Sequence, residues 1–319
     1  MCFTSGNSYS WEKVPVPDSV DKKTKSPWNF FEDFENENVG RLTTNKFTTN
    51  DKGTGLKPFE IKEDPDGNTY LAVTVKDGWN VDQKGWTKET TERAEFEVKP
   101  KRVLGKEIWI SFKKRLPEDF THIDDRVLFF QFKNMISTGK VSPLIGLTYK
   151  KNGNRLKIGG DTGGTKNNLH KGVMMSSSEV REVKYTHQVM AKYKNKEGDW
   201  QVRWEKKRND DKNRDTDDLR FTTSNASVTP LGKWSTYKIG IYNTRGTDGF
   251  VKVYKDGELM YDYEGVTYDW RGTYDKSCVR IGAYRDSGKQ FGIEYPDQTI
   301  HFDDFIVVSD EKTLDRYIK

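Results

Sequence analysis

Three short stretches carry side chains that could move a proton on an acidic sugar. Thr91-Glu92-Arg93-Ala94-Glu95-Phe96 sets a guanidinium and a carboxylate two positions apart. Phe130-Gln131-Phe132-Lys133 sets an amide and an amine at the same spacing. Arg280-Ile281-Gly282-Ala283-Tyr284-Arg285 adds cations and a phenol. Successive side chains of a strand point to opposite faces, so residues two apart share one. Arg93 with Glu95, Gln131 with Lys133, and Arg280 with Gly282 and Tyr284 therefore each form one face. If those faces line one concave sheet, its groove holds cations, an amide, a phenol and a carboxylate.

That inventory suits β-elimination on a uronic acid. The sugar's carboxylate must be neutralised so that the proton at C5 becomes acidic. Arg, protonated Lys and an amide NH₂ can stabilise the charge that grows in the transition state. A base must take the C5 proton and an acid must protonate the leaving O4. A tyrosine can do either or both if cationic neighbours lower its pKa from about 10. Such a proton-transfer group contributes about 10²–10⁴-fold.

Each set also fits a purely structural role. Arg93 and Glu95 could pair on an exposed face, Tyr284 could be an ordinary sheet tyrosine, and Gln131 could satisfy a buried hydrogen bond. The chain has four His, at 122, 170, 187 and 301, with no metal-ligand spacing among them. His187 lies in a strand-like stretch and could reach the groove as a base, or be half-exposed surface. Trp200 and Trp204 share one face. They read as a sugar-stacking platform or as core, and Trp204 is the candidate for the groove.

The elements around these stretches are strands. Hydrophobic residues make up 33% of the 319-residue chain and aromatics 13%, a balance that suits pleated surfaces better than helices. Short alternating runs recur at 69–75, 95–98, 107–112, 126–132, 144–149, 155–158, 234–242, 250–254, 259–261, 279–284 and 299–308. Lys151-Asn152-Gly153-Asn154 and Lys255-Asp256-Gly257-Glu258 read as hairpin turns. Helical periodicity is confined to short pieces near 176–180 and 311–317. Many short strands with regular turns mean an all-β fold, a sandwich or barrel. A polar arm, 1–27, precedes a single domain, 28–319.

The net charge of +5, from 54 basic and 49 acidic residues, is not that of a dedicated nucleic-acid binder. It leaves room for a local basic groove facing a polyanion. No apolar run reaches the length of a membrane span. No signal peptide is visible at the start of the chain. The two Cys, at 2 and 278, make no disulfide framework or zinc pattern. Cys278 reads as a small core residue. The balanced charged stretch 205–220 lacks the glycine and glutamate of a calcium loop. Asp303-Asp304 with Glu32-Asp33 could hold a structural calcium where the terminal strands meet, or be solvated surface.

The three motifs, in this order, resemble the jelly-roll polysaccharide lyases: the heparin lyase I and glucuronan lyase group, and more distantly the alginate lyases. The likeness is greatest in Gly232-Lys233-Trp234, in residues 248–258, in Arg280 to Arg285, and in Phe302-Asp303-Asp304-Phe305. It implies a concanavalin A-like jelly-roll β-sandwich with a concave substrate groove. It also implies an enzyme that cleaves a uronate-containing acidic polysaccharide, with no required cofactor, acting as a secreted or extracellular monomer. By that resemblance Arg93 and Gln131 bind the substrate carboxylate and Tyr284 is the catalytic tyrosine; beside them Glu95, Arg280, Arg285 and Trp204 are read as lining the substrate. Lys133 stands where those families have His. It could neutralise charge and leave Tyr284 as both base and acid, act as a base with a depressed pKa, or mark a site that binds sugar without cutting it. A non-catalytic, lectin-like protein on the same fold is thus the alternative function. A sandwich-type glycoside hydrolase would need two carboxylates flanking the bond, and its usual Glu-x-Asp-x-x-Glu strand is not found.

Overall fold

The protein is described here by a computed structural model covering residues 29–35, 48–49, 57–79, 91–123, 125–135, 143–150, 155–161, 191–194, 200–203, 220–223, 230–244, 248–264, 267–268 and 276–318. These residues form two antiparallel sheets. The larger is assembled from β1 (Phe30–Glu32), β3 (Phe59–Glu63), β4 (Thr69–Val75), β6 (Lys106–Arg115), β10 (Ala191–Lys194), β11 (Trp200–Arg203), β13 (Trp234–Asn243), β14 (Phe250–Lys255), β15 (Glu258–Glu264) and β17 (Gln298–Val308). The smaller has β2 (Thr48–Thr49), β5 (Thr91–Val98), β7 (Val127–Asn134), β8 (Ile145–Lys150), β9 (Arg155–Asp161), β12 (Arg220–Thr223) and β16 (Ser277–Asp286), in the order β12-β9-β8-β7-β16-β5-β2.

One core fills the space between the sheets. β6 turns Ile108, Ile110 and Phe112 inward, β13 turns Tyr237, Ile239 and Ile241 inward, and β16 meets them with Val279, Ile281 and Ala283. Phe112 stacks on Phe130 and on Tyr237, with ring centroids 5.3 and 5.2 Å away. Each such fully buried side chain stabilises the fold by roughly 1.5–3 kcal/mol. This is the sandwich that the alternation of the strands implies, with its core residues on alternate positions.

Both hairpins form. β8 and β9 pair from Lys150↔Arg155 onward, and β14 and β15 pair from Lys255↔Glu258 onward. At the second turn Asp256 and Gly257 take φ of 51° and 81°. Two central residues with positive φ match the right-handed twist of the flanking strands. The C-terminal helix α1 (Glu311–Asp315) is capped by Asp310, whose carboxylate accepts from Thr313 N at 2.8 Å. The helix expected near 176–180 and the arm 1–27 lie outside the described residues. Among the described residues no helix is long and apolar enough to cross a membrane.

Candidate active site

β5, β16 and β7 lie side by side in the smaller sheet, so the three motifs come together. On β16 the odd-numbered Val279, Ile281 and Ala283 enter the core, which leaves Arg280, Gly282, Tyr284 and Asp286 on the other face. Tyr284 lies opposite Arg93 on β5 and Leu128 on β7. Arg280 lies opposite Glu97 and Gln131, and Lys133 lies opposite Cys278.

Glu95 is the centre of this face. Its carboxylate is 2% exposed, and it accepts from Arg93 Nε, from Gln131 Nε2 and, at 3.3 Å, from Arg280 Nη1. Burial alone would raise its pKa. The guanidiniums of Arg93 and Arg280 and the Gln131 amide outweigh that and hold it below the usual carboxylate range. Gln131 is 3% exposed. Glu95 and Gln131, read from the sequence as substrate-lining, are therefore packed under the surface and orient the two arginines.

Two clusters flank this centre. At one end Arg93 Cζ lies 4.9 Å and Arg126 Cζ 5.2 Å from the Tyr284 ring centroid. Arg126 Nη2 contacts the Tyr284 hydroxyl at 3.5 Å and donates to Asp286 Oδ1 at 3.0 Å. At the other end Arg280 donates from Nε to Glu97 Oε2 at 3.0 Å and forms an ion pair with it through Nη2 at 2.9 Å. Lys133 lies beside Arg280. Burial first, and then the charges of Arg280 and Arg93, push its ammonium below the usual lysine range.

The sequence-based expectations change at three points. A tyrosine pKa lowered by cationic neighbours was the condition for Tyr284 to act as the base; burial instead raises it and outweighs the opposing pull of Arg126 and Arg93. Arg285 was expected to line the substrate. Being adjacent to Tyr284, it points the opposite way, into the sandwich, and is 0% exposed. There it donates to Glu92 Oε2 at 2.5 Å, to Gln298 Oε1 at 2.9 Å and to the Pro296 carbonyl at 2.6 Å. Cys278 is buried but lies on the same face of β16 as Arg280 and Tyr284, away from the core. Its thiol donates to Glu97 at 3.1 Å, and burial, the largest cause, pushes it up to about 12. His187 and Trp204 lie outside the described residues.

Three site residues escaped the sequence reading. Glu97 and Asp286 continue the alternation of Arg93-Glu95 and of Arg280-Gly282-Tyr284, so that signal was present. Arg126 gave none. The β7–β8 register shifts between Leu128 and Phe130, and the β16–β7 register between Ile281 and Tyr284. Such bulges re-aim side chains. Here Phe129 and Phe130 both reach the core, and Arg126 arrives beside Tyr284 with the wrong parity for a regular strand.

Gly282 permits the close approach of β5 to β16. Its φ is 148°, and a Cβ there would run into the Ala94 carbonyl oxygen and lie 2.8 Å from Glu95 Cα. Asp303 accepts from Asn68 Nδ2 at 3.3 Å and from Asp304 N at 2.8 Å, and Asp304 pairs with Lys113. Among the described residues no three His, Cys, Asp or Glu side chains gather at one point.

The sequence matches the family model described as polysaccharide lyase over residues 21–305. No curated protein matches. Among solved structures, an endo-β-1,4-glucuronan lyase from the fungus Trichoderma reesei superposes with a TM-score of 0.49 at 14% identity, covering 88% of this chain and 95% of that one. An alginate lyase from Pseudomonas aeruginosa gives a TM-score of 0.42 at 14% identity, over 78% and 86%. An alginate lyase from Chlorella virus gives 0.42 at 13%, over 83% and 93%.

Proposed function

The chain belongs to the polysaccharide lyase family, and we propose that it cuts a uronate-containing acidic polysaccharide by β-elimination at the Tyr284 end of the groove-side sheet. The observation that carries this reading is the phenol of Tyr284 set against the guanidiniums of Arg93 and Arg126. The Tyr284 phenolate takes the proton from C5. The electron pair left behind forms the C4–C5 double bond, and the bond from C4 to O4 breaks. The same phenol then gives its proton to O4 and returns to phenolate, so the cycle closes on side chains alone.

Arg93 faces the substrate carboxylate in this scheme, and its side chain keeps 17% of its surface open. Fixed donors that meet growing charge without reorganising account for much of an enzyme's rate enhancement. Glu95 and Gln131 hold Arg93 and Arg280 in place from beneath. Lys133 supplies charge to a more distant sugar unit. A polymeric substrate supports a secreted or extracellular setting.

The test is growth of ultraviolet absorbance on glucuronan, alginate, heparin, heparan sulfate and chondroitin, since the new double bond absorbs and the intact polymer does not. Growth on one of them that Tyr284→Phe abolishes is the expected result. Binding without growth on any polymer would instead make this a lectin-like member of the fold.

A further inference from the structure

We propose that Arg126, held by Asp286, is a positioning residue that orients the Tyr284 hydroxyl and stabilises its phenolate. This rests on the reading of Tyr284 as the proton-transfer group. Four charged side chains face that hydroxyl: Arg93 and Glu95 from β5, Asp286 from β16 itself, and Arg126 from the approach to β7. Arg93 is already committed through Nε to Glu95. Arg126 is the guanidinium whose Nη2 reaches the phenol oxygen, at 3.5 Å.

The anchoring of Arg126 is specific. Its Nη2 donates to Asp286 Oδ1 at 3.0 Å, and its backbone N–H donates to Asp125 Oδ1 at 2.6 Å. Asp286 lies two residues past Tyr284, on the same face of β16. A guanidinium tethered this way keeps its plane against the ring while the hydroxyl changes charge. Hydrogen bonds to an ionised acceptor are shorter and about twice as strong as neutral ones. The 3.5 Å contact is therefore the resting length of a bond that tightens as the phenolate forms. Burial of Tyr284 opposes ionisation, and a second cation beside Arg93 lowers the cost of forming the phenolate.

The side chain of Arg126 is 44% exposed, so its replacement leaves the core untouched. The phenol of Tyr284 is titrated by ultraviolet difference between the protein and its Tyr284→Phe variant, over the pH range where circular dichroism shows an intact fold. Arg126→Ala should move the midpoint up by about one pH unit, and Arg126→Lys should recover part of the shift. Asp286→Asn should shift the midpoint by different amounts in the parent and in the Arg126→Ala background; the difference is the part that Asp286 exerts through Arg126, beyond its own charge on the phenol, and equal shifts in both would overturn the tether. An unchanged midpoint in Arg126→Ala overturns the proposal, even in a protein that cuts its polymer normally. A shifted midpoint upholds it, even if no uronate polymer is cut; that result would remove the lyase scheme alone.

Discussion

Lys133 and Tyr284 face different partners along one ladder: Lys133 lies opposite Cys278 of β16, six residues from Tyr284, which itself lies opposite Leu128. At about 3.3 Å per residue the two backbones stand roughly 20 Å apart along the strand. The charges that act on Lys133 are those of Arg280, Cys278, Arg93 and Glu95. On the proposed reading this separation assigns Lys133 and Tyr284 to different sugar units, although the motifs suggest that they share one bond.

Lys133→Ala separates these roles. It should raise KM for long oligosaccharides several-fold and leave kcat within about threefold, as expected when a binding contact away from the reacting bond is lost. Steady-state rates on substrates of graded length check this. A loss of kcat as large as that of Tyr284→Phe would make Lys133 the base.

The pH dependence follows from the raised pKa of Tyr284. Below that pKa the phenolate fraction grows about tenfold per pH unit. The value of kcat/KM should therefore rise with a slope near one and show no plateau below the ordinary tyrosine range, about pH 10. A plateau near neutrality would assign the base to a different group.

Glu95→Gln should cost stability as well as rate. It leaves Arg93 and Arg280 without their shared counter-charge in a nearly buried site. Breaking a buried pair from one side costs about 3–5 kcal/mol. The sign with pH is fixed: the folded pKa of Glu95 lies below the unfolded value, so its contribution is present above the unfolded pKa. It is lost as pH falls through the folded one. Urea denaturation of both proteins at pH 7 and at a series of lower pH values should show the gap intact down to the unfolded value, about pH 4.3, and narrowing only below it.

Lys114→Met should stabilise the protein. Lys114 projects from β6 into the core, where it is 0% exposed, and its Nζ has no hydrogen-bond partner among the described residues. The rings of Tyr149, Phe129 and Tyr237 surround it at 4.2, 4.9 and 5.7 Å. Burial pushes its ammonium well below the usual lysine range. An unsatisfied buried polar group costs about 1–3 kcal/mol, and methionine fills the same space without one. The unfolded chain binds this proton below about pH 10 while the folded chain does not, so the cost grows as pH falls from there. The gain from methionine should therefore be larger at pH 6 than at pH 9 in denaturant titrations. An equal gain at both would show that the amine is protonated in the fold.

The alternation of Arg93-Glu95, Gln131-Lys133 and Arg280-Gly282-Tyr284 was legible in the sequence because a strand offers only two faces. The same rule puts Arg285 on the face opposite Tyr284, and reading it as substrate-lining ran against that rule. The sheet class, the two hairpins and the C-terminal helix follow from local signals: alternation, turn residues with positive φ, and a capping aspartate. The sequence alone determined a β-sandwich with a phenol and cations on one face.

Tertiary structure decided the rest. Strand order places β16 between β5 and β7, and no local pattern encodes which strands become neighbours. Register separates Lys133 from Tyr284, and two bulges deliver Arg126 to the Tyr284 hydroxyl. The raised pKa of Tyr284 depends on burial set against charge, and both come from residues far away in the chain. Side-chain chemistry and period are local properties, whereas pairing, register and desolvation exist only once distant segments pack together.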